Sequence, residues 1–221
     1  YLAHEMGFTP HFSVSRSYDY FITQYDGYNG FTGYGFNEGC ISVDSENPLP
    51  VFTNYGQSLN NAFFGTGVST GCVFIGFGSG NGTDYGHFAS LDITGHEYFH
   101  GIANHAVNLI GAGQPGAINE AIADVFGLMV ERSTQINDWD WTIGEDVVTP
   151  NLDDGQGIRY LFSPTLKSGY PDHMDNLYTG LADDGGEHIN AGIPGHAFYL
   201  MVNGGFHATN IMSGEIAGGI E

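Results

Sequence analysis

His96-Glu97-Tyr98-Phe99-His100, followed by Asn119-Glu120 and Asp124, constrains this chain more than any other stretch. Residues four apart on a helix lie about 40° apart around the axis and roughly 6 Å apart along it. A helix here would present His96 and His100 from one face, both imidazoles within reach of a single tetrahedral zinc. Glu97 stands one residue round, near enough to act on water at such a metal without being a ligand. The pattern suits hydrolysis in which a metal acidifies water and a carboxylate takes its proton. Zinc then needs a third protein ligand and an open fourth position, and Glu120 is the candidate.

The stretch from Gly116 to Asp124 reads as the start of a second helix that continues through Val130. Glu120 and Asp124 share a face, while Ile118, Ile122, Val125, Phe126 and Met129 form the apolar side. An acid on so apolar a helix is costly unless metal or hydrogen bonds satisfy it. Asp124 is placed to hold a metal-bound histidine by its other ring nitrogen. The zinc layout with a third histidine is excluded by counting. It needs a glycine three residues and a histidine six residues after His100, where Ala103 and Ala106 stand. His105 falls about half a turn from His96 and reads as a surface or packing histidine.

The 221 residues allow one large domain or two small lobes. Twenty-five acidic residues face only Arg16, Arg132, Arg159 and Lys167, a formal net charge of −21. Such a surface repels nucleic acid and anionic membranes, which excludes both as partners. No apolar run has the length of a membrane span. Cys40 and Cys72 are compatible with one disulfide or with two separate buried thiols. The first 90 or so residues are rich in Tyr, Phe, Gly and Asn. They read as a helix over 17–25, then a twisted sheet with strands at Cys40-Ile41-Ser42-Val43 and Cys72-Val73-Phe74-Ile75. The glycine run from Gly76 to Gly82 lacks the lysine and spacing of a phosphate loop and reads as an ordinary loop. From Leu91 onward the pattern is helical, with a third helix over 193–202.

With these motifs the chain resembles the thermolysin family of secreted metalloproteases along nearly all of its length. The likeness is carried by Asn60-Asn61-Ala62-Phe63-Phe64, Ser90-Leu91-Asp92, His96 to His100, Gly116 to Asp124, Ile143-Gly144-Glu145-Asp146, Pro171-Asp172-His173 and Asp184 to Gly192. The resemblance implies an α+β, two-lobed zincin, with a sheet-bearing lobe at 1–92 and a helical lobe at 93–221. The zinc helix would lie at the cleft between them. Against the family pattern the chain reads as an internal piece of the catalytic domain. The family also implies a secreted, monomeric endopeptidase acting on peptides or proteins, with Glu97 as general base and one catalytic zinc on His96, His100 and Glu120.

Further roles follow from the same resemblance. Asn61 and Ala62 match positions that bind an extended peptide backbone by strand addition. His188 matches a histidine that donates to the developing oxyanion, and Asp183 the acid that orients it. Arg159 matches the arginine that bonds a substrate carbonyl. Ile93, Ile143, Val147 and Ile158 match the pocket wall for the residue after the scissile bond, and branched aliphatics there favour a bulky apolar side chain. Asp92, Glu131, Asp140 and Glu145 match the carboxylates of a structural calcium site, oxygen donors that suit this ion. Asp138 stands where a second calcium would bind, although Thr142 replaces an acid often found in that loop. The family's tyrosine between the two zinc motifs, a helper in oxyanion binding, is replaced by Gly111. That departure motivates an alternative, a metal-stabilised binding module with feeble or no catalysis.

Overall fold

The computed structural model describes residues 10–24, 50–67, 73–106, 109, 111–149, 157–205 and 207. The expected strand at Cys40-Val43, both cysteines and the side chain of His105 lie outside that description. The architecture is α+β, as expected.

Helix α1 (Pro10–Gln24) starts well before the expected residue 17. Its buried stripe is Ser13, Ser17 and Phe21, spaced four apart. The Ser13 hydroxyl donates to the Ala89 carbonyl at 2.9 Å and that of Ser17 to the Ser13 carbonyl at 2.9 Å. Small hydroxyls satisfied in this way can be buried at little cost, so the inward face carries no hydrophobic period to read. Phe21 stacks on Tyr98 with ring centroids 5.2 Å apart, which docks α1 on the next helix.

Strands β1 (Val51–Tyr55), β2 (Ala62–Thr66) and β3 (Val73–Gly78) form a sheet in the order β1-β3-β2. β1 runs parallel to β3 and β2 antiparallel to it, leaving β2 on an edge. Gly76 and Gly78 therefore belong to a strand, not to the loop expected from their glycine run. A Cβ on Gly76 would sit 2.7 Å from the Phe63 ring, and one on Gly78 2.7 Å from the Asn61 carbonyl oxygen. These glycines mark a close approach of β2 to β3.

Helices α2 (Leu91–Ala106) and α3 (Gly113–Thr134) form the frame of the molecule. They cross through glycine: a Cβ on Gly95 would lie 3.0 Å from the Gly127 Cα, and one on Gly127 would collide with the Asp92 carbonyl. The inward face of α3 is made mostly of small residues and acids, namely Gly116, Ala117, Glu120, Ala121, Ala123, Asp124, Gly127 and Glu131, with the aliphatic Leu128 and Val130. Part of the side expected to be apolar is turned outward, with Ile118 46% and Ile122 37% exposed. The helix thus buries much of its acidic face, because that face carries the groups that meet α2. α3 also begins three residues before Gly116, which puts Pro115 in its first turn, where a missing N–H costs nothing.

β4 (Thr142–Ile143) and β5 (Arg159–Tyr160) pair antiparallel, with Ile143 opposite Arg159. Helix α4 (Gly192–Asn203) closes on α3, and its buried His196 bonds the Leu161 carbonyl through Nδ1 at 2.9 Å. Val147 is 1% exposed within the core shared by Ile75, Phe77, Leu91 and Leu128. Among the described residues no helix is long and apolar enough to cross a membrane.

Candidate metal centre and cleft

The close crossing of α2 and α3 brings His96 and His100 against Glu120. His96 Nε2 lies 2.9 Å from His100 Nε2 and 3.3 Å from Glu120 Oε2, and His100 Nε2 lies 3.2 Å from Glu120 Oε1. Zinc at about 2.0–2.1 Å from each ligand would separate them by roughly 3.3 Å at tetrahedral angles, so these atoms are spaced to share one ion. Glu120 Oε2 is buried with only the His96 and His188 imidazoles close by, at 3.3 and 3.4 Å, so it is an oxygen that a cation would satisfy.

The surrounding groups fix which ring nitrogen is free to face a metal ion. His96 Nδ1 meets Asp124 Oδ1 at 2.8 Å, and a carboxylate can only accept, so the proton sits on Nδ1 and Nε2 is free to ligate. Asp124 in turn takes both the Nε (2.7 Å) and a terminal nitrogen (2.5 Å) of Arg159. Burial raises the Asp124 carboxyl, but the Arg159 and His96 charges prevail and hold it below the usual carboxylate range. Glu120 is also lowered, burial being outweighed by hydrogen bonds and charge from His100 and His96. Burial by itself would lower His96, yet the hydrogen bonds to Asp124 and Glu120 push it up to about 10, so a metal must displace that proton. Asn119 meets His100 Nδ1 at 3.3 Å through its amide nitrogen while its buried oxygen has no partner. Metal on Nε2 requires a proton on Nδ1, and rotating the amide by 180° gives that proton the Asn119 oxygen as acceptor. Sequence reading quoted Asn119 without assigning it this part.

Opposite the triad, His188 Nε2 lies 3.4 Å from Glu120 Oε2, and its Nδ1 lies 2.7 Å from Asp183 Oδ1. Asp183 Oδ2 accepts the backbone N–H groups of His188 and Ile189, each at 2.8 Å. The turn that allows this has positive φ at Asp183, Asp184, Gly185 and Gly186, a left-handed run that curls the carboxylate back onto the imidazole. Since Asp183 accepts from Nδ1, Nε2 donates only from the doubly protonated ring.

His96, His100, Glu120 and His188 line one cleft of about 630 Å³ together with Asn61, Ala62, Glu97, Ile93, Ile143, Ile158 and Arg159. Phe64 N–H on edge strand β2 donates to Glu97 Oε2 at 2.8 Å, which ties the carboxylate to the strand. Of the four aliphatics expected at the pocket, Ile93, Ile143 and Ile158 line this cleft, whereas Val147 is buried in the core. Glu187, Tyr85, Phe88 and Asn60 also line the cleft. Sequence reading gave none of them an individual role in the site.

At the other end of α2 and α3 a second cluster contains only acids. Glu131, Glu145 and Asp146 have carboxylate oxygens within 4.8 Å of one another. Buried Asp92 adds its charge and bonds the Gly144 N–H through Oδ2 at 2.5 Å. Asp92 Oδ1, Glu131 Oε2 and Glu145 Oε2 are buried without partners. Burial, aided by the neighbouring carboxylates, pushes Glu131 up to about 9, Glu145 to about 12 and Asp146 to about 6, and raises Asp92 as well. Such oxygens fit a hard cation. Asp146 stands in this group of three, whereas the expected Asp138 and Asp140 are exposed and lie outside it. Asp140 Oδ1 accepts the Thr142 N–H at 2.6 Å instead.

Two sequence profiles match the chain. The thermolysin metallopeptidase catalytic domain matches residues 3–104, and the thermolysin metallopeptidase alpha-helical domain matches 107–220. The chain belongs to the thermolysin metallopeptidase family. Family relatives include bacillolysin of Bacillus cereus, 37% identical over 89% of this chain and 31% of that protein. Thermolysin of Alicyclobacillus acidocaldarius is 39% identical over 76% of this chain and 30% of its own length. The chain thus spans about a third of the length of these relatives. Among solved structures, the precursor of protealysin, a metalloproteinase from Serratia proteamaculans, aligns with a TM-score of 0.67 at 28% identity. That alignment covers 87% of this chain and 57% of the other.

Proposed function

We propose that this thermolysin-family chain is a secreted zinc endopeptidase that cuts on the N-terminal side of bulky apolar residues. The convergence of His96, His100 and Glu120 at 2.9–3.3 Å beside Glu97 is the observation that supports it. Zinc, when bound by these three residues, supplies Lewis acidity that brings water toward ionisation at neutral pH and polarises a carbonyl. Glu97 takes the proton from the attacking water and passes it to the leaving amine. His188, steadied by Asp183, donates from Nε2 to the oxygen that gains charge. The outer edge of β2 pairs with the substrate backbone at Asn61 and Ala62, and Arg159 holds a carbonyl beside the wall of Ile93, Ile143 and Ile158. Asp92, Glu131, Glu145 and Asp146 hold one calcium that keeps the acid-rich end of the helix pair together.

A second reading is favoured by Gly111, which offers no hydroxyl to share the oxyanion with His188. Losing one such donor costs on the order of 10²–10³ in turnover, which would leave a metal-stabilised binding module. An internally quenched peptide with leucine after the scissile bond separates the two. Zinc-loaded protein should cleave it, and Glu97→Gln should lower turnover by about 10²–10⁴ with zinc content unchanged. Equal cleavage by both proteins would sink the assignment of Glu97. Zinc binding without cleavage by either would establish the binding module.

A further inference from the structure

Helix α3 serves as a ruler along the cleft. Gly116, Glu120 and Asp124 are four apart, so each step advances about 6 Å along the axis. The side chain of Glu187 packs at the first level: a Cβ on Gly116 would lie 2.9 Å from Glu187 Cβ and 3.1 Å from its Oε2. The metal ligands and His188 stand at the second level, on Glu120. Arg159 is bound at the third, on Asp124, next to the aliphatic Ile143 of the paired strand. Glu187 and the Arg159 wall therefore flank the metal position on opposite sides, with about 12 Å between their levels. An extended peptide covers that distance in roughly four residues.

The Glu187 carboxyl faces the cleft and accepts no hydrogen bond among the described residues. Its nearest cationic group, His188 Nδ1, is 3.7 Å away and already engaged by Asp183 at 2.7 Å. Gly111 leaves space beside it, since among the described residues a Cβ there would meet only Glu187 Oε2, at 3.7 Å. Burial raises this carboxyl, and Glu120, Asp184 and Asp183 add to the effect against His188, so the site gains most from an incoming cation. The chain has four basic residues against 25 acids, and its field draws cationic peptides toward the cleft.

We propose that Glu187 is a specificity-determining acid, pairing with a lysine or arginine at one of the two substrate positions before the scissile bond. The assignment of sides rests on the peptidase reading above. The test uses zinc-loaded protein and peptides with leucine after the bond and Lys, Gln or Glu at each of the two preceding positions. Ratios of kcat/KM are measured on cleavable peptides, and ratios of Kd on the same sequences with an uncharged ketomethylene in place of the scissile bond. Lysine should be favoured over glutamine about tenfold at low ionic strength, less in high salt. Glu187→Gln should bring that ratio close to one, and Glu187→Lys should turn the preference toward glutamate. A wild-type ratio near one, or a lysine preference that survives in Glu187→Gln, overturns the proposal. Cleavage without lysine preference sinks the role of Glu187 and spares the peptidase. Lysine-selective binding of the ketomethylene peptides without cleavage does the reverse.

Discussion

The helix pair α2–α3 buries acids at both ends, and the two ends treat them in opposite ways. Glu120 and Asp124 each have cationic or protonated partners, and both carboxyls are held below their usual range. Around Glu131 and Glu145 the neighbours are other acids, and the carboxyls rise to about 9 and about 12. Burial is similar at the two ends, with Glu120 7% and Glu131 2% exposed, so the difference comes from what surrounds the charge. Imidazole nitrogens with one carboxylate suit zinc, whereas carboxylates alone suit calcium. One scaffold thus offers two metal chemistries by changing only the donors.

Exchanging donors at the first end is the strongest way to break this contrast. Glu120→Gln should abolish stoichiometric zinc and all hydrolysis while leaving the calcium response intact, checked by metal analysis of the dialysed protein. A variant that keeps a full equivalent of zinc would remove Glu120 from the ligand set. Asp124→Asn acts one bond further out and should weaken zinc binding about 10–100-fold, read by competition with a chelating dye. An unchanged affinity would mean that Asp124 serves Arg159 alone.

The smallest expected effect sharpens the comparison through pH. Native pKa values raised above those of the unfolded chain mean that the cluster holds more protons in the native state, so its contribution to stability is greatest below about pH 4 and declines as pH rises. With zinc in place and calcium removed, the melting temperature should fall steadily from about pH 5 to pH 9, the window set by Asp146, Glu131 and Glu145. Saturating calcium should flatten that decline, and Glu145→Gln should reduce both the decline and the response to calcium. A calcium-free melting temperature that rises across this window would show that the acid cluster is not strained by its own charge.

Much of the end that carries His96, His100 and Glu120 was legible in the sequence because helix geometry is local. Four residues always make slightly more than one turn, so His96 with His100, and Glu120 with Asp124, could be placed on shared faces before any fold was known. The same rule misled where a hydrophobic stripe was taken as the guide to packing: Ile118 and Ile122 lie largely outside, and acids lie inside. Spacing also says nothing about contacts closed by distant segments. The bond of β4 to β5 that sets Arg159 on Asp124, the place of Val147 in the core and the entry of Asp146 into the acid cluster all depend on how loops return.

What the order of residues determined by itself is therefore the pair of helices and the metal-facing donors on each, together with the family they belong to. Only the tertiary structure decided which further groups reach them: the left-handed turn that folds Asp183 onto His188, the side-chain amide of Asn119 near His100, and Glu187 in the space beside Gly111. The physical reason is one of range. Covalent geometry fixes neighbours within a turn of helix, whereas groups far apart in the chain meet only where packing brings their backbones together.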